Sequence, residues 1–357
     1  MVLDELRIGV VLEPFADTRL DDVLGWLAGE VPEVTHIEVG AGGYAPHPHC
    51  DVAGLLSSRS ARTRWLDQIA RHGLAVDALN VWGNPLHPDP DLAARHDEDL
   101  RNAIRLAALL GVDRIVAMAG CPSAAPGDRT PHFGAGGWLP YLEGVWERQW
   151  ERWVAPYWSS LAAFATAEHP GLLVCLELHP GTVAFNVETF SRVAALGDCI
   201  AANLDPSHFF WMGMDGHKVT AAILDRVGHA HGKDVVFHAE NLALNGLLDR
   251  RWPSPPEQMP WTFAVPGRGH DLGWWTELAR LLARSPARVI SIEHEDPFVS
   301  PREGVARAAR LLSAAISASK AGGAAHGEPA GGATRAGPTG GGRRATQPGG
   351  NRAEAAS

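Results

Sequence analysis

The chain is poor in the features that mark secreted, membrane-spanning or nucleic-acid-binding proteins. Only four cysteines occur in 357 residues, Cys50, Cys121, Cys175 and Cys199, and none forms a CxxC pair. That excludes a disulfide framework and a zinc ribbon. No apolar run approaches the ~20 residues of a membrane helix. Residues 1–12 carry Asp4 and Glu5 and lack a basic stretch followed by an apolar one, so no signal peptide is expected. The expected location is the reducing cytoplasm. Positive charge is also scarce: 31 Lys and Arg face 41 Asp and Glu, a formal net charge of −10. Without a basic stripe, a nucleic-acid partner is not expected. Residues 10–16, after the first apolar run, have no glycine-rich phosphate turn, which counts against a doubly wound dinucleotide fold.

Hydrophobic residues make up 45% of the chain and charged residues 20%, enough for one large core. The length is high for one domain but ordinary for a (β/α)₈ barrel. The C-terminal stretch differs in kind. It is built of Gly, Ala, Pro, Arg and polar residues, and the last bulky apolar side chain is Ile316. Such a segment cannot bury enough surface to offset the entropy of ordering it. The expectation is a barrel over 1–318 and a disordered tail over 319–357.

Eight short β-rich apolar runs occur, at 7–12, 35–39, 75–81, 114–119, 172–178, 200–204, 227–231 and 289–293. They are nearly continuous in apolar character, as parallel strands buried on both faces require. Helical stretches alternate with them: 58–72, 90–110, 155–168, 187–196, 219–226, 274–284 and 302–317. Gly73 and Gly111 sit where helices end. This alternation predicts an α/β fold, a single closed (β/α)₈ (TIM) barrel. Two long connections, 120–140 and 241–271, are read as loops serving a site at the C-terminal mouth. Trp146, Trp150 and Trp153 share one helix face, read as packing on the barrel or on another subunit.

Polar residues end many of the strands. Glu38 ends the second and Asn80 lies near the end of the third. The fifth reads LELHPG, with Glu177 and His179. The sixth reads NLDPSH, with Asp205 and His208. The seventh reads HAHGKD, with His229, His231 and Lys233, and the eighth SIEHED, with Glu293 and Glu295. A charge inside an apolar strand is costly unless paired or bound to an ion. Glu177, Asp205, His231 and Glu293 each end a different strand and so converge on one end of the barrel. Two Glu, one Asp and one His form an oxygen-rich set suited to Mn²⁺, Mg²⁺ or Co²⁺. His231 is preferred to His229, and Glu293 to Glu295, because each stands at its strand's end.

Taken in order, these motifs resemble the xylose isomerase-like barrels, which include sugar isomerases, epimerases and inosose dehydratase relatives. The resemblance runs over about 5–317. It implies that Glu177, Asp205, His231 and Glu293 hold one divalent ion, Mn²⁺ foremost, with Mg²⁺, Co²⁺ or Zn²⁺ as alternatives. It implies acid–base work for Glu177 and Glu293, and substrate contacts for His179 and His208, with Arg268 added by the stretch PGRGHDLGWW. Lys233 and His87, the latter in GNPLHP after the third strand, are further substrate-binding candidates. The implied reaction is isomerisation or epimerisation of a sugar or polyol through an enediolate. The alternative is a lyase or dehydratase acting on a keto sugar, an inosose or a 3-keto glycoside. An endonuclease IV-type DNA enzyme is remote, since it needs three zinc ions and a basic groove. Homo-oligomerisation and a partner subunit stay open.

Overall fold

The computed structural model describes residues 6–44, 46–134, 139–248 and 255–324. Eight parallel strands close into a barrel: β1 (Arg7–Val11), β2 (Val34–Gly43), β3 (Ala75–Trp82), β4 (Arg114–Met118), β5 (Leu173–Glu177), β6 (Ile200–Leu204), β7 (Val227–Gly232) and β10 (Val289–Ile292). β1 closes on β10, pairing Arg7 with Val289 and Val10 with Ile292. All eight expected strands are present. That at 200–204 matches its expected bounds, and the others shift at one or both ends by one to a few residues, since ladder pairing and not side-chain character ends a strand.

Local chemistry sets the helix limits. In α4 (Pro90–Leu110), the Asp89 side chain accepts from the backbone N–H groups of Asp91 and Leu92, and Pro90 enters the first turn without needing a donor. Gly111, at φ 73°, ends the helix in a conformation that a Cβ disfavours. In α6 (Ala155–Glu168), Trp158 is fully buried and its indole N–H donates to the Ala119 carbonyl at 3.0 Å, tying the helix to the end of β4. Trp150 is buried, with Arg192 stacked 4.2 Å from its ring and Trp146 edge-on at 5.9 Å. The tryptophan face thus packs within the chain.

Three expectations need correction. Residues 241–271 are not a bare loop. β8 (Asp234–Phe237) follows β7 directly and pairs antiparallel with β9 (Trp261–Ala264), Val235 opposite Phe263, and α10 (Ala239–Asn245) lies between them. Each strand is four residues long and the partners lie far apart in sequence, so neither shows a local period. Secondly, the helix expected at 219–226 splits into α9 (Gly216–Ala222), capped by Asp215, and a 3-10 turn (Leu224–Arg226). Thirdly, the helix expected at 302–317 runs longer, as α12 (Pro301–Ala324). The rest of the expected tail, and Trp252 of the long connection, lie outside the described residues. Among the described residues no helix is long and apolar enough to cross a membrane.

Candidate active site

The strand-end residues meet at the C-terminal mouth of the barrel, around a cavity of ≈ 260 Å³. Its polar floor is Glu177, His179, His208, Lys233 and Glu293. Its walls are Glu13, Tyr44, Trp82, Met118, Phe263 and Glu295.

Glu177 ends β5. Its Oε1 accepts from His208 Nε2 at 2.9 Å and its Oε2 from Asn203 Nδ2 at 3.2 Å. Asp205 follows β6 and caps α8 (Pro206–Trp211), accepting from the Ser207 N–H at 2.9 Å. That helix swings His208 back under Asp205, with Nε2 3.2 Å from Oδ2. His231 and Lys233 are two residues apart at the end of β7 and both face the cluster. His231 Nδ1 lies 2.9 Å from Glu293 Oε2 and 3.6 Å from Glu177 Oε2. Lys233 Nζ lies 2.6 Å from Glu293 Oε2, 3.0 Å from Asp205 Oδ2 and 3.4 Å from Glu295 Oε1, with the Phe263 ring 4.5 Å away. Phe263 comes from the unforeseen hairpin.

Burial opposes charge on Glu177, Asp205, His208, His231 and Lys233, and their pairing overrides it. Burial would raise the Glu177 and Asp205 carboxyls, yet His208, His231 and Lys233 hold both below their usual values. Burial would lower His208, yet Asp205 and Glu177 lift it to about 9. His231 and Lys233 are raised well above their usual values by the carboxylates, again against burial. His179 goes the other way: burial and the positive His208 ring, 4.2 Å between centroids, push it down to about 4. It is therefore neutral at pH 7. At the rim, burial and the like charges of Glu293 and Glu295 raise Glu13 to about 7.

The donor chemistry suits a divalent ion at three of the four expected residues. One ligand atom each from Glu177, His231 and Glu293 lies within 4.8 Å of the others. Glu293 Oε2 and Asp205 Oδ2 are buried, and both face the Lys233 ammonium without a hydrogen bond of good geometry. Asp205 does not join that trio. Lys233 and His208 are its charged neighbours.

Two expected residues lie elsewhere. Arg268 is engaged by Asp296 at 2.6 Å, and His87, whose Nδ1 accepts from the Asp89 N–H, lines a separate groove beside α4. Neither lines the cavity. Sequence reasoning passed over Glu13, Trp82 and Phe263. Glu13 lies two residues past the end of β1, so a strand-end rule widened by one residue reaches it. The two aromatics carry no such signal.

Residues 38–315 match the family model described as the xylose isomerase-like TIM barrel. The chain belongs to this family. Among curated relatives, the uncharacterised protein YfiH of Bacillus subtilis (strain 168) is 31% identical over 316 residues, covering 87% of this chain and 100% of its own. Among solved structures of the fold, an L-ribulose 3-epimerase aligns over 91% of this chain and 100% of its own, at 15% identity and a TM-score of 0.58. The probable 3-DHS dehydratase AsbF of Bacillus anthracis, involved in petrobactin synthesis, aligns over 86% and 99%, at 13% identity and a TM-score of 0.57. The structural neighbours of this xylose isomerase-like barrel thus include epimerases and a dehydratase.

Proposed function

We propose that this barrel is a sugar or polyol isomerase or epimerase that moves a proton on carbon next to a carbonyl, with Glu177 and Glu293 as the acid–base pair. The observation that carries the reading is the placement of these two carboxylates, at the ends of separate barrel strands, both lining the cavity and lying 3.6 Å and 2.9 Å from His231 Nδ1.

Glu177, Asp205, His231 and Glu293 would hold one divalent ion, with Asp205 joining once its oxygen is released by Lys233. When bound, the ion would lower the energy of negative charge developing on neighbouring substrate oxygens. Glu177 is held ionised by His208, so it can accept a proton from carbon, and Glu293, at the end of a different strand, can return one. Lys233 and His208 keep positive charge beside the reacting oxygens. Phe263 and Trp82 wall the cavity with faces that suit the C–H surface of a sugar ring and exclude water.

The charge of the lining favours a free sugar or polyol over a phosphate ester. Glu13, Glu177, Glu293 and Glu295 line the cavity, and its lysine is already shared among three carboxylates. An added phosphate would meet net negative charge.

Elimination is a second reading, and Glu13 favours it. A rim carboxyl with a pKa of about 7 is half protonated at neutral pH and can deliver a proton to a departing oxygen.

The test is incubation with free ketoses, polyol-derived ketones and keto glycosides in D₂O with Mn²⁺, followed by NMR and mass spectrometry. Deuterium entering at the carbon next to the carbonyl, abolished in Glu177→Gln, supports the main reading. A product lighter by the leaving group supports elimination. No exchange on any substrate, together with no bound ion by elemental analysis, would refute both.

A further inference from the structure

Beneath the candidate site a second polar layer runs down the barrel axis. His231 Nε2, the nitrogen turned away from Glu177 and Glu293, lies 3.2 Å from Glu38 Oε2. Glu38 Oε2 also accepts from His229 Nε2 at 2.8 Å, and Glu38 Oε1 from Asn80 Nδ2 at 2.5 Å. The other His229 nitrogen lies 3.0 Å from Asp77 Oδ2, close to the opposite, N-terminal face. Glu38, His229 and His231 are fully buried.

The backbone is bent to build this layer. β2 pairs with β3 as Ile37 to Val76 and then Glu38 to Ala78, so Asp77 is an extra residue, a β-bulge. β6 pairs with β7 as Ala202 to Val227 and then Asn203 to His229, so Gly228 is a second bulge. Bulges re-aim side chains. The first turns Asp77 toward His229. The second sets His229, and with it His231, inward. Gly228 has no room for a Cβ, which would lie 2.9 Å from Cys175 Sγ and 3.0 Å from Ala201 Cβ.

A barrel interior is ordinarily layers of branched apolar side chains. Replacing a buried ionic chain by packed apolar residues is often neutral or stabilising, so stability gives little reason for this one. What it does achieve is to fix one imidazole. A hydrogen bond from Nε2–H to a buried carboxylate leaves Nδ1 as the nitrogen facing Glu177 and Glu293 and stops the ring from turning over. His229, held between Asp77 and Glu38, keeps that carboxylate from swinging away.

We propose that Asp77, His229 and Glu38 are positioning residues that hold His231 with Nδ1 toward Glu177 and Glu293. The inference rests on the reading of those three residues as ligands of a divalent ion.

Two measurements on the full chain test it. In the first, metal-free protein is titrated calorimetrically with Mn²⁺. Glu38→Ala weakens binding about 10-fold or more. Glu38→Gln keeps an acceptor for the Nε2–H and recovers most of the loss. Asp77→Asn, further along the chain, weakens it several-fold. In the second, metal-free protein with ¹⁵N-labelled histidine shows a solvent-protected His231 Nε2–H resonance, which shifts in Asp77→Asn and is lost in Glu38→Ala. Wild-type Mn²⁺ affinity in a folded Glu38→Ala protein overturns the proposal. Should that variant not fold, Asp77→Asn decides: unchanged affinity with an unshifted resonance overturns it. If the wild type binds no Mn²⁺, the ion of the proposed function is lost, and the Nε2–H resonance alone still decides the positioning role.

Discussion

Lys233, only 2% exposed, places its ammonium 2.6 Å from Glu293 Oε2, with Asp205 only 3.0 Å from the same nitrogen. One lysine therefore neutralises carboxylates that would otherwise repel each other inside the barrel. A divalent ion in the same cluster would relieve it of that duty.

Lys233→Met should therefore destabilise the metal-free protein strongly, by about 3–5 kcal/mol, the usual cost of leaving buried charges unpaired. Added Mn²⁺ should restore part of the loss. Urea denaturation with EDTA and with Mn²⁺ checks this, and equal stability of the variant and wild type in EDTA would contradict it.

Glu177→Gln keeps the shape of the side chain and removes the base. Proton exchange on a competent substrate should fall by about 10²–10⁴-fold. Circular dichroism should remain near wild type, while the thermal midpoint should fall, because His208 loses a buried charged partner. A comparable rate in the variant would remove Glu177 from the acid–base pair.

Glu13 supplies a pH signature in the metal-free protein. Its folded pKa of about 7 lies above the ordinary 4.5, so the folded state prefers the protonated form. Its favourable contribution is complete below pH 4.5 and disappears as pH rises through 7. Glu13→Gln should accordingly be more stable than wild type at pH 8, by about 1 kcal/mol once solvent screening of this partly exposed group is discounted. The difference should vanish near pH 4.5. Denaturation in EDTA at both pH values reads the sign, and a variant less stable at pH 8 would contradict it.

Gly228→Ala should cost about 1–3 kcal/mol, since its methyl group would press on Cys175 and Ala201 in a filled interior. Because the bulge at Gly228 sets both His229 and His231, Mn²⁺ binding should weaken along with stability. A stable variant with unchanged Mn²⁺ binding would show that the bulge is adaptable.

The barrel and much of its floor were legible because they depend on short-range pattern. A strand such as 200–204 is apolar but for Asn203 because both its faces are buried, and the charge of Asp205 ends that pattern at the strand end. The same contrast marks Glu177 and Glu293. Of the expected binding residues, His179, His208 and Lys233 reach the cavity, while Arg268 and His87 do not. Those two stand in loops, where residue type carries no information about direction. Arg268 meets Asp296, and only folding brings the pair together.

By itself, then, the sequence determined the alternation of strands and helices, the closed parallel barrel and the mouth to which the strand-end charges belong. These follow from apolar period, capping and the cost of burying charge, all of which act within a few residues. Tertiary structure alone decided the rest. It paired β8 with β9 over the mouth and brought Phe263 to Lys233. It set Lys233 between Asp205 and Glu293, leaving Asp205 outside the trio around His231. It also inserted the bulges at Asp77 and Gly228 that thread a polar chain beneath His231. The physical reason is common to all three. Strand register and contacts across the barrel join residues distant in the chain, and a bulge shows only against the partner strand it is out of step with.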